Sequence, residues 1–282
     1  MSDKNIVKAI TEKGNNLEAE MSFFDHLETL RWHLIRAAIA ILVFTIAAFW
    51  QYDFIFNEII LGPFKPNFWT YRMLCKLGTG CVTHINGTMI NTEMAGQFML
   101  QLNSSILIGI IISVPYILWE IWRFIKPALL EKERKAATGF VFYASCLFIA
   151  GILFGYYLIA PESISFLAGY TVSDTIKNQF TISSYLSMVA TITLIIGLVF
   201  ELPILIYILA SLGILSGTFM RKTRRYSVVI LLIIGAIISP SPDFFTTFIS
   251  TVPLFALYEV GIMVASRVEK RRNDRHEAIM AS

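Results

Sequence analysis

Residues 180–212 read FTISSYLSMVATITLIIGLVFELPILIYILASL, an apolar run with a single charge, Glu201. A helix rises 1.5 Å per residue, and about 20 mostly apolar residues cross the roughly 30 Å hydrocarbon layer, so this run can cross a bilayer once. Broken near Glu201 and Pro203, it would instead hold two short spans. That choice sets the whole topology, because the other apolar stretches number five. The first runs from about Leu34 to Trp50, with Arg36 near its start, where the long side chain snorkels its charge to the headgroups. Met94 to Trp119 and Ala136 to Pro161 are free of charge. Tyr226 to Ser239 and Phe244 to about Ser266 are shorter, the latter containing Glu259.

Lysines and arginines decide between six spans and seven. With six spans and both termini in the cytoplasm, the inner segments hold Lys4, Lys8, Lys13, Arg31 and Arg36, and then Arg123, Lys126, Lys132, Arg134 and Lys135. Arg221, Lys222, Arg224 and Arg225 follow, and finally Arg267, Lys270, Arg271, Arg272 and Arg275. Of the chain's 23 basic residues only Lys65, Arg72, Lys76 and Lys177 fall outside, as the positive-inside rule asks. A seventh span would put a basic cluster on the wrong side. The expected fold is therefore all-α, a polytopic bundle of six transmembrane helices. Its spans lie at about 34–50, 94–119, 136–161, 180–212, 226–239 and 244–266. Pro203 and Pro253 bend spans four and six, and bent walls suit a concave, cup-like bundle.

Composition agrees. Hydrophobic residues make up 56% of the 282 and charged ones 15%, far from the roughly 25% charged of soluble domains, and the mean hydropathy is +0.65. One membrane domain, 1–282, is expected, with polar cytoplasmic tails at 1–20 and 268–282, the latter mobile and drawn to membrane lipid of anionic charge. Nothing in Met1 to Glu20 reads as a removable signal peptide, so the first span is expected to target the chain. The outer face is dominated by the loop 51–93, which carries Cys75 and Cys81. In an oxidising compartment these either close a small disulfide loop or stay free, and sequence does not choose between them. Ser239-Pro-Ser-Pro-Asp243 reads as a tight turn between spans five and six, with Pro240 and Pro242 ending one helix and Asp243 capping the next. Phe244 to Tyr258 reach only about 22 Å. Either the bilayer thins there, or the helix continues through Glu259 to Ser266.

Five stretches carry a resemblance. Phe24-Asp-His-Leu-Glu-Thr-Leu-Arg-Trp-His-Leu-Ile35 opens span one, and Trp122-Arg-Phe-Ile-Lys-Pro-Ala-Leu-Leu-Glu-Lys-Glu-Arg-Lys135 follows span two. Phe200-Glu-Leu-Pro203 lies in span four. Ser239-Pro-Ser-Pro-Asp-Phe-Phe245 and Pro253-Leu-Phe-Ala-Leu-Tyr-Glu-Val-Gly261 mark the last two spans. In this order the motifs resemble those of the TatC family, the Sec-independent (twin-arginine) protein translocase subunit of the bacterial cell inner membrane. One position departs: the family usually has a glutamate where this chain has Thr29, its acid being one residue earlier at Glu28. A one-residue step rotates a helical side chain by about 100°.

The resemblance implies a receptor for twin-arginine signal peptides of folded cargo. It would work with single-span TatA/TatB-type subunits, as a homo-oligomer within the translocase, driven by proton motive force and needing no cofactor, metal or nucleic acid. Two adjacent guanidiniums are best met by carboxylates through paired, charge-assisted hydrogen bonds. Spacing alone favours reading Glu133 as a solvated partner of Lys132, Arg134 and Lys135, but it matches the family's loop acid, and the resemblance reverses that preference. Glu28, Thr29 and Arg31 on the opening helix, with Phe124 and Pro127 in the loop, complete the expected peptide-binding set. Asp25 and Glu28 otherwise serve helix-start electrostatics. Glu201 and Glu259 are intramembrane carboxylates, which are costly and face polar or protein-lined interiors. They are read as contacts for partner helices, as structural carboxylates, or, in an alternative reading, as coupling sites of a proton-coupled small-molecule transporter. No phosphate loop, zinc-protease helix or nucleophile elbow occurs, so the chain is not expected to be an enzyme.

Overall fold

The computed structural model describes residues 23–76, 88–126, 139–173, 175, 178–238 and 244–280. Helix α1 (Phe23–Trp50) leads into a chain of short elements: a turn at Tyr52–Phe54, a π-helical segment Ile55–Ile60, a 3₁₀ turn Gly62–Phe64, helix α2 (Trp69–Lys76) and strand β1 (Thr88–Ile90). Helix α3 (Gly96–Ile125) follows. Helix α4 (Phe140–Phe154) passes through a π-helical turn, Gly155–Ile159, into α5 (Ala160–Gly169). Strand β2 (Gln179–Thr181) precedes α6 (Ile182–Phe200), α7 (Leu202–Ser211), α8 (Gly217–Ile238) and α9 (Phe244–Met280).

Among the described residues, five stretches are long and apolar enough to cross a membrane: Leu27–Trp50, Gly96–Ile125, Val141–Gly169, Ile182–Ser211 and Thr247–Asp274. The protein is an all-α, polytopic membrane protein. The segment expected as the fifth span lies in helix α8, whose first nine residues carry Arg221, Lys222, Arg224 and Arg225. The apolar remainder from Tyr226 to Ile238 reaches only about 20 Å at 1.5 Å per residue.

Three of the helical segments depart from the sequence reading. The third span runs past Pro161 to Gly169, because the two losses a proline imposes on a helix are met here. A π-helical turn precedes it, and the Tyr157 carbonyl, the one displaced by the proline ring, accepts a hydrogen bond from the Thr70 hydroxyl of α2. The fourth span is neither one straight helix nor a hairpin. It breaks at Glu201, which ends α6, and resumes with Pro203 in the first turn of α7, where a missing N–H costs nothing. The last helix runs unbroken through Glu259 and on to Met280, so the segment expected to be a mobile tail is helical as far as Met280. Its far part docks on the α7–α8 turn. Glu269 accepts hydrogen bonds from the Thr218 backbone N–H (3.3 Å) and hydroxyl (3.2 Å). The Arg272 guanidinium closes over Gly213, whose φ of +76° is left-handed and favours glycine.

The described parts of the long segment expected as a loop form a folded cap. Its carbonyls are tied by tyrosines from the spans: Tyr156 donates to Ile59 O (2.5 Å) and Tyr185 to Ile60 O (2.6 Å). The buried Tyr71 of α2 shares its proton between Pro63 O and Pro161 O, both at 2.9 Å. Burial, with the Glu162 charge adding to it, pushes the Tyr71 phenol far above the ordinary tyrosine range, so it stays a donor. Strands β1 and β2 pair in parallel, with Thr88 opposite Gln179 and Ile90 opposite Thr181, and lock the cap to the start of α6. Beneath it lies an apolar core of Ile55, Ile60, Leu100, Ala160, Ile164 and Leu186. Tyr71→Phe should remove both hydrogen bonds from this buried site and lower stability by about 1–3 kcal/mol. Thermal unfolding in detergent tests this, and an unchanged midpoint would mean that the cap does not depend on that phenol.

Candidate functional site

Helices α1 and α3 pack against each other more extensively than any other pair of helices. Gly109 allows this, since a Cβ there would lie 2.7 Å from the Thr45 backbone nitrogen and 2.8 Å from its Cα. Small residues at such crossings let two backbones approach in a membrane. The pair is antiparallel, so the start of α1 lies beside the end of α3, and the basic residues Arg31, Arg36, Arg123 and Lys126 gather there.

At this end Glu120 is only 2% exposed. One carboxylate oxygen, Oε2, receives a hydrogen bond from His33 Nδ1 on α1 and lies 4.0 Å from Arg36 Nη1. The other, Oε1, lies 3.9 Å from Arg123 Nη1, is buried, and accepts no hydrogen bond within the described residues. Tyr116, one turn earlier on α3, faces the same carboxylate. The His33 ring meets Phe124 edge-on at 6.2 Å, and Arg123 lies over the Trp119 ring at 5.2 Å. Thr29, His33 and Arg36 fall at i, i+4 and i+7, one stripe of α1.

Of the expected peptide-binding residues, Glu28 and Arg31 are exposed and Thr29 and Phe124 half-buried, all at the mouth of the α1–α3 pair. Glu133 and Pro127 lie outside the described residues, as do Pro240, Pro242 and Asp243 of the expected turn. The two intramembrane acids are not equivalent. Glu259 is ion-paired with Arg224 on α8 (2.5 Å), and Arg224 also covers the Phe255 ring at 5.6 Å. Glu201, at the α6–α7 break, buries both oxygens with no hydrogen-bond partner among the described residues. Cys75 is disulfide-bonded and Cys146 free, while Cys81 lies outside the described residues. Sequence reasoning missed Glu120 because the apolar run was ended at Trp119, just before the charge. The signal was present: an acid between Trp119 and Trp122, one turn after Tyr116, with His33 and Arg36 on the helix before it.

These features define a class: a polytopic helical membrane protein with a tyrosine-tied cap at one end and a carboxylate set among cations at the other. The profile of the family described as Sec-independent protein translocase protein (TatC) matches residues 25–253. The Blattabacterium protein of that name is 36% identical over 267 residues, which cover 91% of this chain and 99% of its own. The Carboxydothermus hydrogenoformans protein is 33% identical over 251 residues, covering 89% and 95%. A crystal structure of the twin arginine translocase receptor TatC superposes with a TM-score of 0.64 at 29% identity, covering 86% of this chain and 99% of that one. The chain belongs to the TatC family and is a core subunit of the twin-arginine translocase. That assignment sets aside the proton-coupled transporter reading of Glu201 and Glu259.

Proposed function

We propose that the protein is the receptor that recognises twin-arginine signal peptides at the cytoplasmic face of the inner membrane. The observation that carries this reading is the likeness to a twin arginine translocase receptor over 99% of that receptor's length. The clustering of Glu28, Arg31 and Phe124 at the mouth of the α1–α3 pair supports it. Glu133, beyond the end of α3, meets one guanidinium of the peptide and Glu28 the other. Thr29, Arg31 and Pro127 shape the surface, and Phe124 offers apolar contact.

Six spans with both termini inside accord with the basic residues at the α1 start, α3 end and α8 start, α8 being the short span. Cys75 bonded to Cys81 staples the outer cap. Pro240, Pro242 and Asp243 make the outer turn between α8 and α9. Glu201 is the polar spot presented to single-span TatA/TatB-type partners or to an inserted signal peptide, and Glu259 serves the Arg224 pair. Copies of the chain assemble within the translocase, and proton motive force drives export of folded cargo.

The test is binding of a signal peptide carrying Arg-Arg against the same peptide carrying Lys-Lys, with purified protein and with Glu133→Ala. The expected result is an Arg-Arg preference of ten-fold or more that collapses in the variant, since a lost bidentate pair costs about 1.5–3 kcal/mol. Equal binding of both peptides by the unaltered protein would overturn the receptor reading.

A further inference from the structure

Glu120 sits at the α1–α3 junction but belongs to none of the expected contacts. Between Leu27 and Arg36 on α1, and between Tyr116 and Lys126 on α3, the fixed charges are Arg31, Arg36, Arg123 and Lys126 against Glu28 and Glu120. Glu28 is exposed to solvent, so Glu120 is the carboxylate held inside the packing. It touches α1 through His33 and lies near Arg36, and on its own helix it lies near Arg123. Inside a protein, charges a few ångströms apart interact far more strongly than in water. Without Glu120, His33, Arg36 and Arg123 would face one another with no anion between them, and a peptide bringing two more guanidiniums would approach an uncompensated basic patch.

His33 also links Glu120 to the recognition surface. Its ring bridges from the carboxylate to the edge of Phe124, and it stands one helical turn after Thr29. A rotation or outward shift of α1 at His33 would therefore carry Glu28, Thr29 and Arg31 away from Phe124 together.

We propose that Glu120 is a positioning residue for signal-peptide recognition, holding the start of α1 against the end of α3 through His33 and neutralising the cations that would repel a twin-arginine peptide. This rests on the receptor reading above. Glu120 does not touch the peptide. It acts on the residues that do.

The experiment measures Arg-Arg and Lys-Lys peptide binding by the full chain and by Glu120→Gln, Glu120→Asp, His33→Gln and the double variant Glu120→Gln/His33→Gln, with thermal unfolding of each. Glutamine keeps an acceptor and the side-chain volume but removes the charge. Glu120→Gln is expected to weaken Arg-Arg binding about ten-fold and shrink the preference over Lys-Lys, while Glu120→Asp restores most of both. Because the two side chains act as one unit, the double variant should bind no worse than Glu120→Gln alone. Wild-type affinity in Glu120→Gln overturns the proposal, and so does a fully additive loss in the double variant. If Glu120→Gln does not fold, wild-type binding by a folded His33→Gln would overturn it equally. These outcomes are separate from failure of the receptor reading, which would appear as absent preference in the unaltered protein.

Discussion

Gly109→Leu is expected to lower stability by about 3 kcal/mol and, on the proposed receptor function, to remove signal-peptide binding, although residue 109 lies far along the helix from the residues proposed to meet the peptide. Overpacking a tight contact costs typically about 1–3 kcal/mol, more where the neighbour cannot yield. Here the neighbour is the backbone of Thr45, with its nitrogen and Cα both inside 3 Å of any Cβ at position 109. Backbone does not rotate aside as a side chain does, so α1 as a whole must move off α3. That displacement pulls His33 from Glu120 and separates Glu28 and Arg31 from Phe124. Gly109→Ala should show the same two effects in smaller measure, and Ile106→Leu, at a position 38% exposed, should show neither. Thermal unfolding and peptide titration on the three variants check this. Retained binding by a destabilised Gly109→Leu would mean that recognition does not need the α1–α3 contact.

The five long spans were legible because a bilayer demands long apolar runs, and such runs with basic flanks need no knowledge of neighbours to be recognised. The irregularity at Glu201 was legible only in part: Pro203 marks a bend in the sequence, whereas the helix ends at Phe200 and restarts at Leu202. What stayed hidden depends on partners distant in sequence. Pro161 reads as a helix end until Thr70 is seen to take up the carbonyl it displaces. The segment between α1 and α3 reads as a loop because its order comes from Tyr156 and Tyr185, about a hundred residues away. The tail after Arg267 looks mobile by charge, and its contacts to Gly213 and Thr218 form only once α7 and α8 turn back toward it. Glu120 was hidden differently. A search for charge-free runs stops at charges, so it set aside the acid that pairs the two helices.

Glu201→Leu is expected to raise stability and lower export. Both carboxylate oxygens are buried without a hydrogen-bond partner among the described residues, and a buried polar group left unsatisfied costs about 1–3 kcal/mol. Leucine fills a comparable volume without that cost, and its neighbours Phe200 and Leu202 are already apolar. Pro203 remains in the variant, so the break between α6 and α7 persists and the comparison isolates the carboxylate. Retention of a destabilising group is intelligible if it contacts something outside this chain, such as a partner helix or the inserted peptide, whose donors meet the oxygens in the assembled translocase. The thermal midpoint of the isolated protein should therefore rise, by an amount matching about 1–3 kcal/mol. Export of a folded twin-arginine reporter should fall at least ten-fold, with Glu201→Gln intermediate in both. Export unchanged beside a raised midpoint would assign the carboxylate no role in transport. A lowered midpoint would instead show that Glu201 is satisfied within the protein itself, and its place at the α6–α7 break would then be structural.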